Sequence, residues 1–213
     1  MSKIVIELQQ EALKSDFDIL SLLRKAYLVA KKLKLQEFEK WINNELNGYG
    51  DEEEIPEYRL LIGELKGWNP SRGWIPVILP KENKDITTHM ATESIANLLN
   101  VYENSTNHSV FYQFGAGFNN LLSQSVNFNT KFVLVVGTNQ IYNIFECVRN
   151  IVLDWSITLE ENGILGEGLQ FNEVEKNIAT TTPIINNYIN NFFGSVSESQ
   201  IQQDTKKSSQ IKK

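Results

Sequence analysis

The sequence predicts an α+β fold with an N-terminal three-helix unit, a β-hairpin and mixed sheet, a long amphipathic C-terminal helix, and a polar β-prone or disordered tail. Three observations support this prediction: apolar residues at helical spacing over residues 3–47, strand-like runs around a turn over residues 58–79, and a second helical pattern over residues 139–159. With 213 residues, of which 41% are hydrophobic, the chain is long enough to bury a core without disulfides or metals.

The three N-terminal helices are predicted from the spacing of apolar residues. These residues are Ile4, Val5, Leu8 and Ala12 in the first segment, Leu20, Leu23, Tyr27, Ala30 and Leu33 in the second, and Phe38, Trp41, Ile42 and Leu46 in the third. Such spacing places each set on one face of a helix, and Asn47-Gly48 is typical of a helix C-terminus. We therefore expect three helices joined by short loops.

A β-hairpin is predicted after the acidic run at residues 51–54. Strand-like runs at residues 58–68 and 74–79 flank Asn69-Pro70-Ser71-Arg72-Gly73, whose residue types favour a tight turn. Pro76 lacks a backbone N–H, so the second strand is expected at a sheet edge or a bulge.

Four shorter elements are predicted next: a helix at 90–102, a strand at 110–114, a helical turn at 118–122 and a strand at 131–136. The longest predicted helix follows them. Asn139 is its predicted N-cap and Gly163 its end. Its apolar residues form an amphipathic pattern of Ile141, Ile144, Phe145, Val148, Ile151, Val152, Trp155 and Leu159. Asn172 and Glu175 resemble a capping box at the start of one further short helix.

The composition changes after residue 180, which predicts a globular domain over residues 1–180 and an Asn-, Ser- and Gln-rich tail over residues 181–213. Apolar residues over 185–193 alternate with Asn, which favours a strand, although Ile184, Tyr188 and Phe192 also allow a four-residue spacing. The candidates for self-assembly through β-type contacts are Ile185, Ile189, Phe193, Val196 and Ile201. A flexible, soluble terminus is the alternative.

Composition also limits the classes of function. The formal charge of −6 disfavours a general nucleic-acid-binding surface, so a nucleic-acid partner would require a local basic patch. The single cysteine, Cys147, cannot form an internal disulfide, which fits a reducing compartment. No apolar run approaches about 20 residues, so we expect a cytoplasmic protein without a membrane span.

The residue spacing identifies no catalytic or metal centre. His89 and His108 lack further metal-binding residues at ligand spacing, and the glycine clusters at 115–117 and 163–168 do not match a phosphate-binding fingerprint. We therefore predict no catalytic residue, no metal and no cofactor, and we favour a non-enzymatic role.

Two surfaces are candidate binding sites. The first is the hairpin tip, whose Trp and Arg side chains are types that dominate recognition surfaces, unless its rings pack into a core. Its residues are Trp68, Asn69, Arg72 and Trp74. The second is a basic patch on the second helix, although such patches are also typical of solvated helix faces. Its residues are Arg24, Lys25, Lys31 and Lys32.

Three groups of motifs carry a family resemblance. The first comprises residues 22–26, 30–33 and 41–49, the second residues 68–70 and 73–77, and the third residues 148–150, 153–155 and 166–168. Their order and spacing over residues 3–179 resemble the AbiTii domain of bacterial abortive-infection proteins. The resemblance implies a role in defence against bacteriophage, and it transfers no reaction, cofactor or catalytic residue.

Two hypotheses about function follow. We favour a defence module that self-associates as a homo-oligomer and contacts a phage or host protein. The alternative is a cryptic enzyme acting on nucleic acid or nucleotides, with the basic helix, Arg72, Arg149 and Asp154 near its site. An enzyme needs a concave pocket where polar groups converge, whereas an assembly module needs an exposed apolar or edge-strand surface.

Overall fold

A computed structural model describes residues 3–51, 54–78, 86–126 and 128–189 of the chain. It confirms the predicted α+β class. The chain divides into two compact units: unit 1 comprises the two ends of the chain, Met1–Gly48 and Val148–Lys213, and unit 2 comprises its middle, Tyr49–Cys147. None of the helices in the described ranges combines the length and the apolar character that crossing a membrane requires.

Unit 1 begins with the three predicted helices, α1 (Ile4–Ala12), α2 (Ile19–Leu33) and α3 (Gln36–Asn47). The carboxylate of Asp18 caps α2 by accepting hydrogen bonds from two backbone N–H groups of its first turn. Gly48 follows α3 with a positive φ of 94°, which confirms the C-terminal signal read from the sequence.

One apolar face of each of these helices is buried. The buried side chains include Ile4, Val5, Leu8, Ala12, Leu22, Leu23, Ala26, Val29, Ala30, Leu33, Phe38, Trp41 and Ile42. Phe38 of α3 stacks on Trp155 with ring centroids 3.9 Å apart, and Tyr188 meets the Phe38 ring edge-on at 5.9 Å. Aromatic packing therefore lies at the centre of unit 1.

Unit 2 contains a four-stranded antiparallel sheet formed by β2 (Glu64–Asn69), β3 (Gly73–Pro76), β5 (Ser109–Gln113) and β6 (Phe132–Gly137). The strand order is β3-β2-β6-β5. The predicted hairpin is the β2–β3 pair, and β3 lies at an edge of the described sheet, as Pro76 required.

A second, two-stranded sheet was not expected: β1 (Leu60–Ile62) pairs antiparallel with β4 (Thr88–Met90). The predicted strand over residues 58–68 is thus two strands separated at Gly63, where a Cβ would lie 2.6 Å from a side-chain carbon of β6. The helix expected from residue 90 is α4 (Ile95–Glu103), which begins later because the Ser94 hydroxyl caps it.

The remaining helix within unit 2 is α5 (Ala116–Ser125), which is longer than the predicted helical turn. Its Leu122 side chain is buried with Leu65 of β2 and Phe132 of β6 in one apolar cluster. Burial of these side chains holds α5 against one face of the four-stranded sheet.

The long helix α6 (Thr138–Glu161) contributes residues 138–147 to unit 2 and residues 148–161 to unit 1. Every apolar residue of its predicted pattern is buried, which confirms that pattern. The helix starts one residue before Asn139 and ends before Gly163, whose φ is 76°.

The chain then forms α7 (Glu173–Thr181) and α8 (Pro183–Asn186). The predicted capping box is present, because Asn172 and Glu175 each accept a hydrogen bond from the other's backbone N–H. Residue 180, the predicted domain boundary, lies within α7.

The strand favoured after residue 180 is absent from the described residues up to 189. Ile185 lies in α8, and the Ile185, Tyr188 and Ile189 side chains are 0%, 6% and 7% exposed. These spacings of three and four are helical, because they bring the side chains to one side of the chain for burial in unit 1. The four-residue spacing read from the sequence began at Ile184, which is instead 55% exposed. Phe193, Val196 and Ile201 lie outside the described residues.

Candidate recognition groove at the β2–β3 turn

The hairpin turn is closed by the side chain of Asn69. Its Oδ1 atom accepts hydrogen bonds from the backbone N–H groups of Ser71 at 2.9 Å and Arg72 at 3.0 Å. Gly73 completes the turn with a φ of 73°, a conformation that favours glycine. Of the predicted interaction residues, Asn69 therefore shapes the turn, while the Arg72 side chain is exposed.

The turn holds Trp68 and Trp74 opposite each other on β2 and β3. Their rings meet edge to face with centroids 5.3 Å apart, and the Trp74 ring lies 6.4 Å from that of Phe111 on β5. Trp68 is 43% exposed, Phe111 is 46% exposed, and Trp74 is partly buried. We call these three rings the aromatic row; Trp68 and Phe111 leave much of their surface open to solvent.

A groove of about 560 Å³ opens beside the two tryptophans. Its volume lies within the range of small-molecule and cofactor sites. The lining residues are Trp68, Pro70, Trp74, Asn119, Phe128, Asn129, Thr130 and Lys131. The segment before β6 thus supplies one wall of the groove and the hairpin supplies the other.

Hydrogen bonds fix the wall that precedes β6. The Asn119 side chain donates to the Thr130 carbonyl oxygen and accepts from the Phe132 N–H, both at 2.8 Å. The Thr130 hydroxyl donates to the Trp68 carbonyl oxygen at 2.6 Å. Asn119 and Thr130 therefore hold the groove's own backbone, while the rings and Lys131 remain for contacts with a ligand.

Sequence reasoning found the hairpin side of the groove and missed the other wall. Asn119, Phe128 and Lys131 are about fifty or more residues away along the chain, and only the pairing of β2 with β6 brings them to Trp68. The available signal was the predicted strand at 131–136, but strand pairing cannot be read from periodicity alone.

Two cations of the groove region have no acidic partner within the described part of the chain. Lys131 lines the groove, and the Arg72 side chain is exposed at the turn. By contrast, Lys66, two residues before Trp68, forms an ion pair with Glu64 at 3.1 Å. Positive charge at Lys131 and Arg72 is therefore available to an anionic partner.

The predicted basic patch on α2 is largely engaged within unit 1. Lys25 contacts two carboxylates of α1 at 2.7 and 3.4 Å, and Lys31 contacts Glu39 at 2.6 Å. That contact with Glu39 raises the pKa of Lys31 above its ordinary value. Lys32 donates to a backbone carbonyl, and Arg24 is exposed. The arrangement is that of an amphipathic helix with ion-paired flanks.

The remaining residues of the enzyme hypothesis also make contacts inside one unit. Asp154 accepts a hydrogen bond from the Tyr188 hydroxyl, and burial together with Asp154 raises the pKa of Tyr188. The Arg149 guanidinium lies 4.5 Å from the centroid of the Phe17 ring. Arg149 and Asp154 belong to unit 1, whereas Arg72 belongs to unit 2.

Unit 2 also contains a polar cluster that the sequence did not reveal. The His89 ring packs against the Tyr112 ring with centroids 4.1 Å apart and planes inclined at 34°, and the His89 Nε2 atom lies 3.8 Å from Glu93 Oε1. The fully buried Arg59 donates to the backbone carbonyls of Ala91 and Glu93, both at 2.8 Å. His89 lowers the pKa of Glu93, and burial raises the pKa of Tyr112 to about 12.

Metal-binding side chains are not clustered in the described residues: no group of three or more His, Cys, Asp or Glu side chains is placed to hold an ion.

Among known protein families, the model of the AbiTii family matches residues 3–184. No curated protein and no solved structure matches the chain significantly.

Proposed function

Because the chain belongs to the AbiTii family, which implies abortive infection in defence against phage, we propose that it is a non-enzymatic binding module. Its recognition surface is the groove beside the β2–β3 turn, together with the aromatic row. The observation that carries the proposal is the exposure of Trp68 at a preformed groove, with Phe111 exposed at the other end of the aromatic row. Trp and Arg are enriched at the positions that dominate binding energy.

The groove has the composition of a binding surface. Asn119 and Thr130 hold the backbone, whereas the rings and Lys131 remain accessible. A large aromatic side chain that stays open to solvent gains little for folding, so its placement beside a groove favours a role in recognition.

The test is a phage challenge of cells that express the wild-type protein or single variants of the groove. Trp68→Ala and Arg72→Gln are expected to lower protection, scored as phage plaque counts. The melting temperature should stay nearly unchanged in Arg72→Gln and fall by only about 2–8 °C in Trp68→Ala. Leu169→Ala is the matched control, because Leu169 is also apolar and 55% exposed but lies in unit 1. Full protection by both groove variants would contradict the proposal.

The second part of the proposed function is self-association through the end of the chain. Phe193, Val196 and Ile201 stand among Ser, Asn and Gln, a composition that supports stacked β-type contacts between copies. Burial removes Ile185 and Ile189 from this role, because their side chains contribute to unit 1. The proposed self-association segment therefore begins after residue 189.

Light scattering tests this segment. The full chain is expected to give a larger mass per particle than a protein that ends at Ile189, a position chosen because it keeps α8 and its buried side chains. Substituting Phe193 and Ile201 with Ser in the full chain should reproduce the effect of the truncation. Equal masses for all three proteins would exclude the segment from assembly.

A further inference from the structure

The aromatic row lies on one face of the four-stranded sheet. Trp68 is opposite Trp74 in the β2–β3 register, and Phe111 is opposite Val135 in the β5–β6 register. Val135 in turn pairs with Glu64, an even number of residues before Trp68. Because side chains alternate between the faces of a sheet, these three rings project to the same side.

The inclination of the rings is suited to bases that are already unstacked. Neighbouring ring planes are inclined at 71° and 47° to each other, so bases that lie on different rings cannot be parallel to one another as they are in a stacked strand. A duplex keeps its bases stacked and paired, so it cannot lay successive bases on separate rings. Single strands can, and base–aromatic stacking tolerates any sequence.

The charge beside the row favours phosphate over a protein surface. Lys131 in the groove and Arg72 at the turn have no acidic partner among the described residues, although the whole chain carries a formal charge of −6. Arg and aromatic side chains are enriched at protein–protein interfaces and so fit either partner, but Lys is depleted there, whereas phosphate binding depends on Lys and Arg. The preference for phosphate therefore rests on Lys131. Two free cations next to exposed rings therefore match an anionic, aromatic ligand.

We propose that the aromatic row and the groove bind single-stranded nucleic acid, with bases stacked on the rings and phosphates near Lys131 and Arg72. The inference rests on the proposed function, because it names the class of partner for the same groove. The binding is sequence-tolerant, since every base offers a flat face, and the side-chain amide of Asn119 is engaged by backbone groups.

Fluorescence anisotropy with the full-length protein and labelled oligonucleotides of about 12 nucleotides tests the inference. Single-stranded DNA or RNA should bind more tightly than a duplex of the same length. Trp74→Ala should weaken binding about 5- to 150-fold for the lost stacking contact, whereas Trp74→Phe should keep most of the affinity. Trp68→Ala provides a second ring deletion if the first variant proves unstable.

Intrinsic fluorescence locates the bound strand on the protein. Trp41 and Trp155 are 5% and 0% exposed, so quenching by stacked bases should come from Trp68 and Trp74 alone. Quenching that persists in a Trp68→Phe, Trp74→Phe double variant would place the strand elsewhere and overturn the inference.

The salt dependence of oligonucleotide binding distinguishes the contribution of the cations from that of the rings. Lys131→Gln should reduce the slope of log affinity against log salt by about 0.7, the value for one phosphate contact on a single strand. Lys14→Gln, an exposed lysine of unit 1, is the matched control and should leave the slope unchanged. An unchanged slope in both variants would remove Lys131 from the interface and contradict the inference.

The outcomes distinguish this inference from the proposed function. If groove variants lose phage protection but the wild-type protein binds no oligonucleotide at low salt, the inference fails and recognition of a protein partner remains. If oligonucleotide binding depends on the aromatic row but the same variants protect fully, the proposed defence role of the groove fails and the inference stands.

Discussion

Two aromatic pairs, one in each unit, show how similar residues are placed in different environments. Phe38 and Trp155 in unit 1 are stacked at 3.9 Å and almost fully buried. Trp68 and Trp74 in unit 2 meet edge to face at 5.3 Å, and Trp68 is 43% exposed. The first pair lies on helix faces that turn inward, whereas the second flanks a turn at the edge of a sheet. Residue type alone therefore does not separate a core pair from a pair at the surface.

The largest difference between the units is expected when a tryptophan is removed from each. Trp155→Ala should lower the free energy of unfolding by about 3–5 kcal/mol, because it leaves a cavity beside Phe38. Trp68→Ala should cost about 1–2 kcal/mol, since much of its ring is already in water. Chemical denaturation followed by circular dichroism measures both values.

Trp155→Phe is the control for the core variant. Among the described residues the buried Trp155 indole N–H has no hydrogen-bond partner, so phenylalanine removes an unpaired donor while retaining a ring. Trp155→Phe should lower the free energy of unfolding clearly less than Trp155→Ala does. Equal unfolding free energies for the wild type and Trp155→Ala would show that the ring does not support unit 1.

The loop after α6 offers a backbone test of tight packing in unit 1. Gly166 and Gly163 both have positive φ, 65° and 76°, so alanine should cost about 1–2 kcal/mol at either position. A Cβ at Gly166 would also lie 2.8 Å from the Ile4 side chain and 2.9 Å from Phe171, whereas Gly163 has open space. Gly166→Ala should therefore destabilise by about 1–3 kcal/mol more than Gly163→Ala, measured by denaturation. Equal costs would mean that the loop can shift freely.

The Glu175 carboxylate should make the stability of unit 1 sensitive to acid. It accepts backbone hydrogen bonds from Leu165, Gly166 and Asn172 at 2.8–3.0 Å. Burial would raise the pKa of Glu175, but the three N–H donors outweigh it and hold the pKa below 4.5. Because the folded-state pKa is lowered, the carboxylate stabilises the fold above about pH 4.5, and this contribution is lost as the pH falls through the folded-state value.

Glu175→Gln should cost about 1–2 kcal/mol near neutral pH, and its difference from the wild type should shrink below about pH 4.5. Denaturation curves at several pH values measure the effect. Glu37→Gln, an exposed carboxylate of α3, is the control and should show no such pH dependence. A difference between Glu175→Gln and the wild type that stays constant with pH would exclude the charge as its cause.

Local signals in the sequence predicted unit 1 well. Helical spacing and capping residues identified α1, α2, α3 and the start of α7, because these features act over one or two turns. The exact core face was less certain: Leu20 and Tyr27 are only half-buried, while Leu22, Ala26 and Val29 occupy the core of α2. Packing partners, which spacing does not specify, decide such details.

Features that depend on distant pairing were missed. The strand β4 and the break at Gly63 follow from strand pairing across about thirty residues. The second wall of the groove follows from the pairing of β2 with β6. The apolar residues after 183 allowed two periods, and burial in unit 1 selected a helical spacing that includes Ile185 and Ile189 rather than Ile184. Pairing and burial of this kind are tertiary effects that override local preference.

The smallest expected effect on stability belongs to Arg72→Gln, which separates recognition from folding at the same turn. The Arg72 side chain is exposed and has no partner among the described residues, while its backbone N–H, which glutamine retains, bonds to Asn69. The unfolding free energy should therefore change by less than about 0.5 kcal/mol. Asn69→Ala, in contrast, removes two turn hydrogen bonds and should cost about 1 kcal/mol.

If the groove is the recognition surface, Arg72→Gln should lower phage protection although its melting curve overlays that of the wild type. Unchanged protection by Arg72→Gln would indicate that the turn contributes only to folding. The two aromatic pairs would then not differ in function.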